Sequence, residues 1–325
     1  MASIKFKNVF IEDYYSLVGP MERNSRLKYF DANMNDYYYQ EKTFELAEVR
    51  MQRVVIDNIL SRNNYSINNI DVLIGGDLLN QISATSYNAR DYDIPFLGLY
   101  SACSTFTESL IVASNLVDSN EFNKALVVTS SHNLTAEKQY RYPVEYGAPK
   151  KKTSTFTATG AVSAIVTNNT GKLKIEAATI GRTIDMGIND ANNLGAVMAP
   201  AAASTLQRHL VELERTADYY DLILTGDLGC IGANIFKEFI KRNYNIVLKN
   251  HLDAGCELFL KSQDTYAGGS GPVCLPLVLF NRILKQKKYK KILLIATGSL
   301  HSPAMVNQKQ SIPAIAHAVS LEVLS

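Results

Sequence analysis

The sequence predicts an α/β fold made of two similar halves, with helices covering mixed or parallel sheets. Three observations support this prediction. Apolar runs typical of buried strands alternate with helical patterns along the chain. One such run leads through a small-residue turn into a helix around Cys103. Segments of the first half recur in the second half in the same order, which indicates a duplication.

The segment around Cys103 has the strongest local pattern. An apolar run at 96–100 predicts a strand, and small residues at 101–104 predict a turn. A helical face follows at Phe106, Leu110, Ala113 and Val117. Thr105 and Glu108 fit a capping box at the start of this helix. Cys103 is therefore expected at a helix N-terminus, where partial positive charge favours a thiolate or a bound anion. The alternative is a packed small residue, because free cysteine is often a buried hydrophobe.

The repeat consists of three pairs of segments. Asp71 to Leu78 matches Asp221 to Leu228 at an offset of 150 residues (221 minus 71), including the turn aspartates Asp77 and Asp227. Residues 126–131 match 294–299, and residues 100–104 lie opposite 266–270, so that Cys103 corresponds to Gly269. Ligands of such sheets bind beyond the carboxyl ends of the strands. We expect Asp77, Cys103, His132, Asp227 and the turn at Gly268 and Gly269 to converge there.

Composition excludes several classes of protein. The 325 residues are 46% hydrophobic and carry a net charge of +2, which does not favour a nucleic-acid partner. The four cysteines have no metal-ligand spacing, and neither a zinc site nor a disulfide framework is expected. The sequence shows neither a signal peptide nor an apolar run of the ~18 residues that a membrane span requires. We therefore expect a soluble or at most peripheral protein.

Several strings make the chain similar to a known family. The two-half pattern with a cysteine at a strand-to-helix turn resembles the thiolase and ketoacyl-synthase superfamily. More specific strings resemble the stage V sporulation protein AD family, and they span 76–81, 101–105, 129–133, 139–143, 198–203, 267–271, 311–313 and 316–317. This resemblance implies a thiolase-like fold with duplicated halves and a layered αβαβα architecture. The first half, with Cys103, is expected over residues 1–170 and the second over 171–325.

The same resemblance implies a function. It implies binding of dipicolinic acid and a role in loading that acid into the developing spore, together with membrane proteins of the same operon. A homodimer paired through first-half strands is expected, as is a cytoplasmic location or a peripheral one on the spore inner membrane. No cofactor is expected, although a calcium ion could accompany dipicolinate.

The sequence departs from true condensing enzymes in the second half. Those enzymes need a nucleophilic cysteine and two partners, usually His with His or Asn. The corresponding turns here contain Asp227 and the Gly268-Gly269-Ser270 sequence, with no His or Asn. Loss of one oxyanion-hole donor typically costs ~100–1000-fold in rate. A non-enzymatic binding protein is therefore favoured. An acyltransferase that uses Cys103 and a ligand-free scaffold remain as alternatives.

Each candidate side chain has a functional and a structural interpretation. Cys103 and His132 would line the pocket, although His132 could equally be a hydrogen-bonded structural histidine. Asp77 and Asp227 would cap turns or hold calcium. Arg141 and Arg182 would clamp carboxylates or lie on the surface. Three residues after the last clear strand could fold over the cleft: His301, Lys309 and His317. The basic loop at 150–152 is interpreted as solvated.

Overall fold

A computed structural model describes residues 2–141 and 149–324 of the chain. Tyr142 and Pro143, which end one of the family-like strings, lie outside these ranges. The strands are β1 Ser3–Lys5, β2 Phe10–Val18, β3 Ala32–Asn33, β4 Val72–Gly76, β5 Phe96–Gly98, β6 Lys124–Ser131, β7 Phe156–Thr157, β8 Gly160–Thr167, β9 Leu173–Thr179, β10 Leu222–Thr225, β11 His251–Asp253, β12 Gly269–Ser270, β13 Lys291–Ser299 and β14 Ala314–Val323.

The helices of the described residues are α1 Pro20–Arg23, α2 Phe44–Arg62, α3 Ser83–Tyr92, α4 Thr105–Asp118, α5 Asn133–Tyr140, α6 Leu194–Glu212, α7 Gly229–Tyr244, α8 Ala254–Leu258, α9 Cys274–Val278 and α10 Pro303–Asn307. After α9 the chain continues through a π-helical turn, Leu279–Ile283, and a 3-10 turn, Leu284–Gln286. None of the described helices has both the length and the apolar composition required to cross a membrane.

The strand order confirms the duplication. The first half contributes the order β5-β4-β6-β8-β2, and the second half contributes β11-β10-β13-β14-β9. In both halves the first three strands of this order pair in parallel, and the remaining pairs are antiparallel. The halves meet where β2 pairs with the start of β9. The boundary after residue 170 falls in the connection between β8 and β9 and stays a prediction.

Three hydrophobic clusters define the layers. The central cluster packs α4 and α9 between strands of both halves, with Phe106 and Leu275 among its members. An outer cluster packs α2 against the first half, and another packs α6 and α7 against the second. Alternation along the strands divides their side chains between layers: Val127 of β6 belongs to the central cluster and Leu126 to the outer one. The αβαβα fold is confirmed.

Two features differ from the sequence-based expectations. The structure pairs Cys230, at the start of α7, with Cys256 of α8 in a single disulfide, whereas the sequence pointed to no disulfide framework. Their sequence spacing carries no signal, because it is the folded arrangement, including the pairing of β10 with β11, that brings the two helices together. Two central strands, β2 and β14, also lie where the sequence indicated no strand.

Candidate functional site

The turn that carries Cys103 is held by its own hydroxyl groups. Ala102 has a left-handed backbone with φ of 48°, and α4 begins two residues after Cys103. The Thr105 hydroxyl donates to the Ala102 carbonyl at 2.7 Å and accepts from the Ser101 N–H at 3.1 Å. The helix start has no side-chain cap, so the predicted capping box of Thr105 and Glu108 is wrong. Thr105 closes the turn instead.

Residues of the second half pack against the turn that carries Cys103. A Cβ on Gly298 of β13 would lie 2.2 Å from the Ser101 carbonyl oxygen, so only glycine allows this approach. His317 of β14 is buried, accepts from the Gly181 N–H through Nδ1, and lies 3.4 Å from the Ser101 hydroxyl through Nε2. His317 therefore supports the turn rather than folding over the cleft.

Cys103 opens into a cavity of about 60 Å³ between the two halves. The inner lining combines apolar and aromatic side chains with hydroxyl, imidazole and charged groups. Its residues are Leu78, Tyr100, Ala102, Cys103, Ala136, Glu137, Tyr140, Arg141, Thr155, Thr157, Ala191, Leu194, Ser270, Ser299 and His301. Tyr100, Tyr140 and His301 also line an outer groove of about 440 Å³, so the cavity and the groove adjoin. A cavity needs only ~10–15 Å³ for one water, so the inner space suits a small polar molecule.

The Cys103 thiol is neutral at ordinary pH. Its side chain is half-buried, and burial raises the pKa of the thiol well above its usual value. The nearby carboxyl of Asp227 raises this pKa further, while the Gly271 N–H partly offsets both effects. The expected thiolate at the helix N-terminus is therefore opposed by burial and by a neighbouring acid.

Asp227 is fully buried and lies close enough to Cys103 to raise the pKa of its thiol. It follows β10 in a left-handed conformation with φ of 75°. Neither carboxyl oxygen has a partner at hydrogen-bond distance among the described residues, although the Gly271 N–H lies close enough to offset part of the rise in its pKa. Burial raises the pKa of Asp227 well above its ordinary value, with a further contribution from Asp253. A buried carboxyl without partners is held as the neutral acid, because ionisation would leave an unpaired charge.

Asp77 and His132 are two of the six predicted site residues that lie outside the cavity lining; the others are Asp227, Gly268, Gly269 and Arg182. Asp77 is buried and accepts three hydrogen bonds, from the Leu79 N–H, the Thr85 N–H and the Thr85 hydroxyl, so it has the turn-stabilising role. His132 is buried at the start of α5, donates through Nε2 to the Tyr37 carbonyl and accepts through Nδ1 from the Leu134 N–H. Burial lowers the pKa of His132 to about 4.

The predicted site residues Gly268 and Gly269 form a turn that packs against neighbouring backbone and does not line the cavity. Gly268, with φ of 120°, and Gly269 pack against the chain at Gly255, and β12 pairs with β7. Ser270, the next residue, lines the cavity.

The two candidate arginines occupy different environments. Arg141 lines the cavity, where its guanidinium donates to Glu137 Oε1 at 2.9 Å and to the Thr155 carbonyl at 3.3 Å. Arg182 is exposed and does not line the cavity. Lys150 also contacts Glu137 at 2.9 Å, so the interpretation of this lysine as simply solvated is wrong. Among the described residues, two cations therefore share the carboxylate of Glu137 at the cavity.

The cavity is lined by more residues than the sequence analysis identified. His301 reaches the cavity from the connection after β13, as expected from the sequence, whereas Lys309 is exposed. Tyr100 and Tyr140 were missed, and their hydroxyls lie 2.8 Å apart between the cavity and the groove. Glu137 was also missed; its position four residues before Arg141 on α5 was the available signal.

Calcium ligation by the protein does not fit this arrangement. Calcium takes six to eight oxygen ligands, often from several carboxylates. The oxygens of Asp77 are occupied by hydrogen bonds, and Asp227 is held as the neutral acid. Within the described ranges no three His, Cys, Asp or Glu side chains are grouped to hold a metal ion.

The duplicated layered fold with a cysteine at a strand-to-helix turn is that of the thiolase-like proteins. Solved structures with this fold include a variant of OleA from Xanthomonas campestris, with a TM-score of 0.61 and 14% identity over 98% of this chain and 99% of that one. Another is the 3-oxoacyl-(acyl carrier protein) synthase III, FabH, of Xanthomonas oryzae, with a TM-score of 0.59 and 15% identity over 97% of this chain and 100% of that one. At these identities the likeness shows the fold alone.

The sequence comparisons are more specific. The family model of stage V sporulation protein AD (SpoVAD) matches residues 2–322. The stage V sporulation protein AD of Bacillus subtilis (strain 168) is 42% identical over 318 residues, which cover 97% of this chain and 94% of that protein. The chain belongs to the stage V sporulation protein AD family, and it is a sporulation protein.

Proposed function

We propose that the chain binds dipicolinic acid reversibly in the cavity beside Cys103 and acts in uptake of that acid into the developing spore, without catalysing a reaction. The observation that carries this proposal is the pair formed by Cys103 and Asp227. A condensing enzyme needs a reactive thiolate, and here burial and a neighbouring acid favour the thiol.

The shape and charge of the site suit this ligand. Dipicolinate is a flat ring with two carboxylates and requires an apolar slot with donors at both ends. Arg141 supplies a guanidinium for one carboxylate, because planar donors pair well with carboxylates. The backbone N–H groups at the start of α4 supply donors for the other. The ring would extend from the inner cavity past Tyr100 and Tyr140 into the outer groove.

The setting of this function is also part of the proposal. The protein would work at the spore inner membrane with membrane proteins of the same operon. It would form a homodimer through its β5 edges, where Leu97 is exposed. Calcium would enter as a chelate with dipicolinate rather than on protein carboxylates.

Titration calorimetry with dipicolinate tests the proposal. Cys103→Leu fills the cavity and should weaken binding at least ~10-fold, or ~1.4 kcal/mol. Cys103→Ser should bind nearly as wild type, because a pocket wall needs size and shape rather than a thiolate. If Cys103→Ser keeps the fold and abolishes function, reversible binding is the wrong account. Absence of dipicolinate affinity in the wild type would favour the scaffold alternative.

An acyltransferase is the second candidate, because His301 lines the same cavity as Cys103. In that case the thiolate would attack an acyl thioester, form a Cys103 thioester and release the donor's thiol. Incubation with acyl-CoA followed by intact-protein mass spectrometry distinguishes the two functions. A mass increase that Cys103→Ser abolishes would support the enzyme, and an unchanged mass supports reversible binding.

A further inference from the structure

A lysine segment, defined here as residues 285–290, connects the helical region after α9 to β13. Four of its six residues are exposed lysines: Lys285, Lys287, Lys288 and Lys290. None of them forms an ion pair with a carboxylate in the part of the chain that the structure describes. Tyr289, between them, is half-buried, and the Lys288 ammonium lies 4.6 Å from the centre of its ring. The segment therefore presents concentrated positive charge, although the whole chain carries only +2.

A groove of about 320 Å³ adjoins this segment. Its cationic lining comes from Lys249, Arg282 and Lys288, and its carboxylates are Asp221 and Glu257. Both carboxylates are already engaged: Asp221 accepts from the N–H groups of residues 290 and 291, and Glu257 accepts from Arg282 and from a second arginine, Arg26. With the exposed lysines beside it, the groove has a net positive environment sized for a phosphate headgroup.

The lysine segment and the Cys103 cavity lie at opposite ends of one strand. β13 begins at Lys291, directly after the segment, and ends at Ser299, which lines the cavity. A strand rises about 3.3 Å per residue, so these ends are about 26 Å apart. A large object bound at the lysine segment would leave the cavity free.

We propose that the lysine segment and its groove dock on an anionic phospholipid surface. Clusters of four or more basic residues are attracted to such surfaces, each by an electrostatic contribution that falls with salt. All four exposed cations are lysines, which act as point charges. Arginine is preferred for bidentate recognition of phosphates in nucleic acids. The chemistry therefore favours a diffuse charged surface, and it does not depend on the ligand of the cavity.

Sedimentation with vesicles tests the proposal. The full chain should bind vesicles of phosphatidylcholine mixed with phosphatidylglycerol, stay free of pure phosphatidylcholine vesicles, and be released at about 0.5 M salt. Changing Lys285, Lys287, Lys288 and Lys290 together to Gln should weaken binding about 100-fold or more. A matched control changes four other exposed lysines to Gln: Lys5, Lys7, Lys28 and Lys42. The control should bind within about twofold of wild type.

Three results would overturn the proposal. The wild type could fail to bind anionic vesicles. Alternatively, both quadruple variants could lose binding equally, which would show that binding depends on the net charge of the protein rather than on the lysine segment. The segment could instead bind duplex DNA more tightly than vesicles at the same salt. Dipicolinate titration of both quadruple variants separates the vesicle results from the function proposed above. The cavity is unchanged in each variant, so both should bind dipicolinate as the wild type does if that function is correct.

Discussion

Two turns at equivalent positions of the halves have the same Gly-Asp-Leu sequence, but their aspartates differ in environment. Asp77, after β4, accepts three hydrogen bonds. Asp227, after β10, accepts none at hydrogen-bond distance among the described residues, and the nearby Gly271 N–H only partly offsets the rise in its pKa. In the second half, Asp253 of β11 has the stabilising role: it accepts from the Thr225 hydroxyl at 2.8 Å, the Leu228 N–H at 3.3 Å and the Cys256 N–H at 3.1 Å.

This difference shows that the aspartate of one duplicated turn need not stabilise that turn when another side chain does so. Because Asp253 holds the second turn together, Asp227 is not needed for hydrogen bonding there and lies beside Cys103 instead. This arrangement has an electrostatic consequence, because the buried carboxyl groups of Asp227 and Asp253 lie close together. Burial raises the pKa of Asp253 to about 7, and Asp253 in turn raises the pKa of Asp227. In the first half, burial likewise raises the pKa of Asp77 and, together with Asp77, raises the pKa of Glu48 to about 8, so the stability of both turns should depend on pH.

The largest expected effect follows from Asp253. Its pKa is raised from 3.8 to about 7 on folding, so its contribution to stability is fully present below about pH 4 and is lost as pH rises to 7. This loss amounts to about 4 kcal/mol at ~1.4 kcal/mol per pKa unit. Asp253→Asn should flatten the pH dependence of the unfolding free energy over that range. Urea unfolding at a series of pH values measures the slope.

The slope separates this effect from the constant cost of altered hydrogen bonds at residue 253. The exposed Asp218 provides a matched control, because Asp218→Asn should keep the wild-type slope. An Asp253→Asn variant with an unchanged slope would show that this carboxyl does not titrate in the folded protein as inferred.

The second prediction compares the turn aspartates directly. Asp77→Asn places an amide N–H₂ against buried donors and should destabilise by about 2–3 kcal/mol, because unsatisfied buried donors are costly. Asp227→Asn removes no hydrogen bond and tolerates the left-handed backbone, so it should change stability by less than about 1 kcal/mol. Chemical denaturation of the two isosteric variants at one pH gives the comparison. Equal destabilisation would remove the distinction between the turns.

Local patterns explain which parts of this comparison could be predicted from sequence. The matched segments at Asp71 and Asp221 gave both strands and both turns, because strand and turn signals are local. The division of roles could not be predicted, since Asp253 reaches the second turn only through the pairing of β10 with β11. The central strand β2 was missed for a similar reason. Its buried Asp13 is compensated by Arg62 and Lys172, which are distant in sequence.

The arginines show the same limit at the candidate site. Arg141 and Arg182 were equivalent candidates for binding a carboxylate, because a guanidinium in either position can pair with a carboxylate in two hydrogen bonds. The structure separates them: Arg141 contacts Glu137 within the cavity lining, and Arg182 lies exposed. Only the packing of α5 against β7 and the second half brings one of them to Cys103.

The smallest expected effect is the change in dipicolinate affinity that distinguishes Arg141 from Arg182. Arg141→Gln should weaken dipicolinate binding about 10-fold, or ~1.4 kcal/mol, because a charge-assisted contact to a carboxylate is lost while the side chain keeps its polarity. Arg182→Gln should leave the affinity within about twofold of wild type, since this side chain lies outside the cavity. Calorimetric titration of both variants, with unfolding midpoints as a check on folding, measures the difference. The reverse order of affinities would place the ligand near Arg182, away from Cys103, and would require a different site in the same fold.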